Sequence, residues 1–145
     1  MVRPPPRPRI AEETFEDRYL AWGGLQRGTR PEFIVWDWLV RRKRLVEGTD
    51  FRFQSSRWGG RMMFGGAIVD FYFPGKNMVW RVMGEYFHLR RSEDRAHDEI
   101  QRIQLLQEGL IVVDLWVADL FERREYVLNL AWEGREAPTY DIVRV

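Results

Sequence analysis

The chain has 145 residues, of which 45% are hydrophobic and 14% aromatic, a size and composition that favour one core over two. Its formal net charge of +1 excludes a global field that would attract nucleic acid or a membrane, so any basic footprint must be local. The absence of cysteine excludes disulfides and thiolate metal sites, and no apolar stretch predicts a membrane span or a signal peptide. We therefore expect a soluble single domain in a reducing compartment such as the cytoplasm.

The N-terminal segment differs in composition from the rest. Residues 1–9, MVRPPPRPR, form an arm that cannot close a core and is expected to be extended, like polyproline. One interpretation is a solvated tail, and the other is an arm that contacts nucleic acid or a neighbouring protein through its three arginines. The remainder of residues 1–28 predicts a short helix and a connector. Residues 29–133 would form the folded domain, and residues 134–145 a C-terminal tail.

The segment from residue 29 to residue 48 has the start and stop signals of a helix. Thr29 and Glu32 have the spacing of a capping box, Pro31 falls in the first turn, and Gly48 marks the end. Helical spacing predicts a buried stripe made by Phe33, Trp36, Leu39 and Val40. The last turns carry a basic run made by Arg41, Arg42, Lys43 and Arg44. That run is either a solvated helix end that complements the macrodipole or a surface that contacts phosphate.

Three strands are predicted between residues 49 and 83. Residues 49–56 alternate, with Phe51 and Phe53 on one face. Residues 61–73 predict a second strand that Gly65 and Gly66 interrupt, which indicates a bulge or the close approach of another backbone. The turn PGKN then leads to a third strand over residues 77–83.

A second helix is predicted over residues 92–109, from the cap candidate Ser92 to Gly109. Its apolar residues form one stripe made by Ala96, Ile100, Ile103 and Leu106. Residues 110–117, LIVVDLWV, predict a strand buried on both faces, and residues 122–134 predict a last helix. The order helix, three strands, helix, strand, helix predicts an α/β domain with a mixed central sheet flanked by helices.

Asp70 is the residue that most needs an explanation, because it ends the apolar run GGAIVD and is followed by Phe71. A carboxylate buried there would be costly without a partner. It could accept backbone N–H groups, pair with Arg61 or Arg81, or bind a metal ion. From the residues alone these alternatives stay open.

Four segments together carry a family resemblance. They are Thr-Arg-Pro-Glu at 29–32, Asp70-Phe71, Gly84-Glu85-Tyr86-Phe87-His88, and a later helix followed by a strand with Trp116. Their order and spacing resemble the PD-(D/E)XK nuclease superfamily, and within it the very short patch repair (Vsr-like) endonucleases. The corresponding family motifs are T-x-x-E, P-D-F and G-C-F-W-H. The resemblance extends over residues 29–120, which is most of the chain.

The resemblance implies a restriction-endonuclease-like fold that binds DNA and hydrolyses a phosphodiester with Mg²⁺. Asp70 would be the carboxylate ligand, the main-chain carbonyl of Val82 a second ligand, and His88 the group that activates water. Glu32 would be a helix acid near the metal. The aromatic pair would wedge between base pairs, and the basic run would contact the backbone. The DNA-binding residues would then be Tyr86, Phe87, Arg41, Arg42, Lys43 and Arg44.

The sequence departs from the family pattern mainly at the third strand. Trp80-Arg81-Val82-Met83 lacks the E-x-K of the general superfamily, and Met83 stands where Vsr-like enzymes have a second histidine. Val69 replaces the proline before the aspartate. Without cysteine, the zinc site of Vsr-like enzymes cannot form, so no zinc is expected. Arg81 would repel a cation if it pointed toward the metal.

Two functions therefore stay open. The first is a metal-dependent DNA endonuclease or nickase that acts through Asp70 and His88. The second is a nuclease fold that has lost catalysis and serves as a binding or assembly module. A concrete version of the second is a phage-encoded accessory or virion protein that meets its partners through the arm at residues 1–9. Each motif also has a structural explanation, namely a satisfied strand-end histidine, core aromatic residues and a capping glutamate.

Overall fold

The computed structural model describes residues 2–6, 12–55, 62–84 and 92–138, with side chains in the last range from residue 96 onward. The helices are α1 (Phe15–Trp22), α2 (Arg30–Asp37), α3 (Ser92–Gln107), α4 (Val117–Glu122) and α5 (Arg124–Trp132). The strands are β1 (Arg52–Phe53), β2 (Met62–Phe64), β3 (Ala67–Val69), β4 (Phe71–Phe73), β5 (Met78–Met83) and β6 (Ile111–Trp116). None of the described helices is both long and apolar enough to cross a lipid bilayer.

Four strands form one mixed sheet in the order β1, β4, β5, β6. Neighbours β1 and β4 are antiparallel, as are β4 and β5, whereas β5 and β6 run parallel. A parallel pair needs a crossover connection, and the segment that contains α3 supplies it. The predicted α/β class, with a mixed sheet flanked by helices, is confirmed.

Helices and a hairpin cover the two faces of this sheet. On one face, α2, α4 and α5 pack around the fully buried Trp80. On the other face, Leu105 of α3 packs with Val79 and Val112 of the sheet and with the hairpin formed by β2 and β3. Because side chains alternate along a strand, Arg81 lies on the same side of β5 as α3. α1 packs against α2 through a third cluster, made by Tyr19, Trp22 and Phe33.

The predicted second strand over residues 61–73 is not continuous. Residues 62–69 form the β2–β3 hairpin, and its turn is Gly65 and Gly66, with φ of 58° and 88°. A two-residue hairpin turn with positive φ at both central positions suits glycine, which has no Cβ to clash. Of the two predicted alternatives, the bulge was therefore wrong, whereas the close approach of another backbone is confirmed, because a Cβ at Gly65 would lie 3.3 Å from the Gln104 carbonyl oxygen. The chain joins the central sheet as β4 only after a bend at Asp70.

Helix α2 begins as predicted and ends earlier. Thr29 and Glu32 form the capping box, and Pro31 lies in the first turn. The chain then passes through a π-helical turn, Trp38–Arg42, and Arg44 has a positive φ of 60°. The left-handed conformation at that residue ends the helix, so Gly48 is not its stop signal.

The buried face of α2 is broader than the predicted stripe. Phe33 and Leu39 are buried as expected, while Trp36 and Val40 are only half-buried. The buried face is completed by Ile34, Val35 and Trp38. The stripe was too narrow because this helical segment packs against the sheet on one side and against α1 on another.

Helix α3 begins at Ser92 as predicted, and Gly109 follows its end with a φ of 79°, but its apolar stripe does not face the sheet. The exposed residues of that stripe are Ala96, Ile100, Ile103 and Leu106. Leu105 is fully buried in their place. The side of α3 toward the sheet also carries Arg102, whose guanidinium binds a carboxylate of β6. The contact of Arg102 with the sheet therefore occupies the face of α3 that the apolar stripe was expected to occupy.

The predicted strand over residues 110–117 is β6, but it lies at the edge of the sheet. Val113 and Leu115 are buried, whereas Ile111 is 45% exposed, so the strand is not buried throughout. The apolar run is longer than the strand, because Val117 is already the first residue of α4. The last predicted helix, over residues 122–134, corresponds to α5.

Candidate active site

Asp70 lies at the bend between β3 and β4 and is only 6% exposed. Its main chain is held from both neighbouring strands. The Asp70 N–H donates to the Trp80 carbonyl at 3.2 Å, and the Asp70 carbonyl accepts the Gln54 N–H at 3.0 Å. The position of this side chain is therefore fixed by the central sheet and not by a loose loop.

The Asp70 carboxylate binds the main chain of β5. Its Oδ2 accepts the N–H of Val82 at 2.8 Å. The last residue pair between β4 and β5 is Phe71 with Trp80. Beyond that pair, the Asp70 carboxylate replaces the main-chain carbonyl that would otherwise accept the Val82 N–H. In an antiparallel pair the N–H and C=O of one residue point to the same neighbouring strand, so the Val82 carbonyl also points toward this edge. Two of the predicted site residues, Asp70 and Val82, are thus brought together.

Glu32 reaches the same end of the sheet from α2. It is 3% exposed, and its Oε1 accepts the Thr29 N–H at 2.8 Å and the Ser55 hydroxyl at 3.0 Å. Ser55 follows Gln54, whose N–H binds Asp70, so the glutamate is connected to the aspartate through the end of β1. Its Oε2 is buried and makes no hydrogen bond within the described residues. A buried carboxylate oxygen without a partner is costly and needs an explanation.

This donor set has the chemistry of a magnesium ligand shell. A carboxylate and a main-chain carbonyl are oxygen ligands of the kind that Mg²⁺ prefers. Within the residues that the structure describes, no three Asp, Glu or His side chains are grouped closely enough to hold a metal ion. An ion bound by Asp70 and Val82 would therefore keep several water ligands, as protein-bound Mg²⁺ usually does.

Arg81 does not take the place of a cation beside Asp70. Its guanidinium turns to β6, where Nε lies 2.7 Å from Asp114 Oδ1 and Nη2 lies 2.9 Å from Asp114 Oδ2. Its Nη1 donates to the Asp98 carbonyl of α3 at 3.2 Å. Of the alternatives open for Asp70, the pair with Arg81 is therefore excluded and the bond to a backbone N–H is observed, while Arg61 lies outside the described residues.

The Arg81–Asp114 pair is part of a larger polar network that sequence reasoning missed. Asp114 Oδ2 also accepts from Arg102 at 3.1 Å, and Arg102 lies 2.7 Å from Glu136. Glu136 in turn accepts the Asp114 N–H at 3.0 Å, on the side of β6 that faces away from β5. Burial lowers the pKa of the Arg102 guanidinium, but the charges of Glu136 and Asp114 outweigh this effect and raise it. The sequence signal for this pair is that two apolar strands each contain one charged residue of opposite sign, Arg81 in β5 and Asp114 in β6.

The basic run lies at the other end of α2 from this site. Glu32 lies in the first turn of the helix, whereas Arg42 ends the π-helical turn, about 15 Å further along the helical axis. Arg42 is mostly exposed and lies 3.9 Å from Glu125. Arg41 and Arg44 are exposed as well. The predicted DNA-contacting run therefore does not converge on Asp70.

Three other predicted site residues, Tyr86, Phe87 and His88, lie outside the described residues. The second histidine of the chain, His97, is exposed on α3 and hydrogen bonds to Gln101 at 2.9 Å.

No protein-family model matches the chain, and no curated protein or solved structure shows significant similarity to it. The arrangement of Asp70, Val82 and Glu32 is therefore judged by its own chemistry.

Proposed function

We propose that the chain is a DNA-interacting protein with a restriction-endonuclease-like, Vsr-related fold, and that it cuts or nicks DNA with Mg²⁺ bound at Asp70. The observation that carries this proposal is the hydrogen bond of 2.8 Å that holds the Asp70 carboxylate beside the main chain of Val82. The element order also supports it, because a helix, three sheet strands, a helix and a strand follow one another as the resemblance implies.

The proposed chemistry uses few protein groups. A magnesium ion held by Asp70 and the Val82 carbonyl would polarise the scissile phosphodiester and make a bound water more acidic. The N–H of Val82 fixes the carboxylate, so that one oxygen is oriented before any ion binds. His88 would accept a proton from the attacking water. Glu32 caps α2 and accepts the Ser55 hydroxyl, so it would add negative charge at this end of the sheet.

A second function is a DNA-binding or assembly module without catalysis, such as a phage accessory protein. One observation favours it: within the described residues, no group of three Asp, Glu or His side chains could hold a metal ion. Arg81, on the strand where the general superfamily has its acid, is committed to Asp114. In this function the arm at residues 1–9 would bind protein partners. Asp70 would only end the pairing of β4 with β5 by accepting the Val82 N–H.

Plasmid nicking distinguishes the two functions. Supercoiled plasmid is incubated with Mg²⁺ or Mn²⁺ and the wild-type protein, Asp70→Asn or His88→Ala. The asparagine keeps an acceptor for the Val82 N–H but removes the charge, so we expect the fold to survive and the nicking rate to fall by at least about 100-fold. His88→Ala is expected to lower the rate by a similar factor, because it removes the proposed base.

Two matched variants control for the substitutions themselves. Asp50→Asn changes an exposed aspartate that also accepts a backbone N–H, from Val46 at 2.7 Å. His97→Ala changes the exposed histidine of α3. Both should nick like the wild type. Equal rates for Asp70→Asn and wild type would reject the metal role of Asp70. A wild type inactive on supercoiled, mismatched, branched and linear DNA would favour the module.

A further inference from the structure

The two lysines of the chain meet at one tryptophan. Lysine accounts for only two of the 23 basic residues, and all others are arginine. Lys43 follows the π-helical turn after α2, and Lys76 lies in the turn between β4 and β5. Their ammonium nitrogens lie 5.5 Å and 3.9 Å from the ring centroid of Trp132, at the end of α5. Two lysines that are 33 positions apart in sequence thus contact the same indole ring.

These lysines are used differently from the arginines. Every ion pair among the described residues is made by an arginine. Within that part of the chain, neither lysine has a carboxylate partner. The nearby Glu133 is paired with Arg135 at 3.5 Å. Burial, followed by the charge of Lys43, lowers the pKa of the Lys76 ammonium. The charge of Glu133 acts in the opposite direction and is the smaller effect, so the repulsion between the two ammonium groups is only partly balanced.

A structural role explains part of this arrangement. The Lys76 ammonium donates to the main-chain carbonyl of Trp132, so it complements the C-terminal end of α5. That contact uses one of the three N–H donors of Lys76. Lys43 also lies over the ring of Trp38, with its ammonium nitrogen 5.3 Å from that centroid, so a second cation–π contact holds it in place. Neither contact offsets the repulsion between the two ammonium groups.

We propose that Lys43, Lys76 and Trp132 form a binding site for a phosphate group. An anion there would relieve the repulsion between the two ammonium groups and accept the N–H donors that remain. Lysine is suited to phosphate as a compact point charge, whereas the ion pairs with carboxylates among the described residues are all made by arginine. The site lies beyond the turn between β4 and β5, about 14 Å along β5 from Val82. It is separate from the candidate metal site and does not depend on the proposed nuclease function.

The small number of lysines allows a direct test. Reductive methylation with ¹³C-formaldehyde keeps the positive charge and labels only Lys43, Lys76 and the chain terminus. Inorganic phosphate is then titrated at constant ionic strength, with chloride as the balancing anion. We expect both lysine signals to shift and saturate with the same millimolar Kd. In Lys76→Gln the remaining Lys43 signal should report binding weakened on the order of 10-fold, because one charge-assisted contact is lost. Arg135→Gln, on the same α5 end, should bind like the wild type.

A second titration identifies the source of the phosphate. A short DNA duplex replaces inorganic phosphate, again with wild type and Lys76→Gln. Saturation by inorganic phosphate supports a site for a small phosphate compound. Saturation by the duplex alone, weakened by Lys76→Gln, supports a site for the nucleic-acid backbone. If neither ligand shifts the lysine signals beyond chloride, or if Lys76→Gln changes nothing, the site does not exist and the lysines serve only the helix end.

Discussion

Asp114→Ala is expected to lower the free energy of unfolding by about 3 to 5 kcal/mol. Arg81 is 4% exposed, and its Nε and Nη2 both bind the Asp114 carboxylate. Without that carboxylate the arginine keeps its charge in the interior with only the Asp98 carbonyl as a described acceptor. Arg102 would lose the same partner. The cost comes from an uncompensated buried charge and not from the lost attraction alone.

Urea denaturation at pH 7, followed by circular dichroism, measures this loss. Glu133→Ala is the control, because it breaks the exposed pair with Arg135 and should change stability by less than about 0.5 kcal/mol. The double variant Arg81→Met/Asp114→Leu removes both charges and should recover most of the stability. A loss below about 1 kcal/mol in Asp114→Ala would show that Arg81 is not buried against Asp114.

Trp80→Ala is expected to cost about 3 to 5 kcal/mol, since it opens a cavity at the centre of the larger core. The indole is fully buried and lies with its ring centroid 4.5 Å from that of Phe73, 6.3 Å from Trp132 and 6.4 Å from Trp38. Aromatic side chains from three separate elements would lose contacts together. They belong to the turn after α2, to β4 and to α5, so the loss should be global.

A second substitution at this position separates volume from polarity. The Nε1 of Trp80 is buried and makes no hydrogen bond within the described residues. Trp80→Phe removes that donor and keeps an aromatic ring, so we expect a much smaller loss than for alanine. Phe121→Ala, at a residue that is 50% exposed, serves as the control and should be nearly neutral. Equal stability of Trp80→Ala and wild type would contradict the described core.

Features set by local interactions were predictable from the sequence. The capping box of Thr29 and Glu32 depends on residues three positions apart, and the end of α3 depends on one glycine, Gly109. The turn PGKN follows from the proline and from Asn77, which adopts a left-handed conformation at φ 52°. These signals were sufficient for the order of the main helices and sheet strands and for the α/β class.

Features set by distant contacts were not predictable in the same way. Helical periodicity identified the apolar stripe of α3, but which face meets the sheet depends on Arg102 and its partner Asp114. Gly65 and Gly66 fit a bulge or a hairpin equally well until the pairing of β2 with β3 is known.

The candidate site was predicted in part. Asp70 was identified because a charged residue ended an apolar run, and the family resemblance suggested Val82 as its neighbour. The hydrogen bond between them joins residues that are 12 apart in sequence, through the pairing of β4 with β5. No local pattern reveals that the carboxylate binds the N–H of β5, or that Arg81 turns to the opposite neighbouring strand.

Calorimetric titration of Mn²⁺ or Mg²⁺ tests most directly whether Asp70 is a metal ligand. Wild type and Asp50→Asn should each bind one ion with a Kd in the millimolar range or tighter, whereas Asp70→Asn should show no binding heat while keeping its melting temperature. An Asp70→Asn protein that binds the ion like the wild type, or a wild type that binds none, would contradict the proposal that Asp70 is a metal ligand.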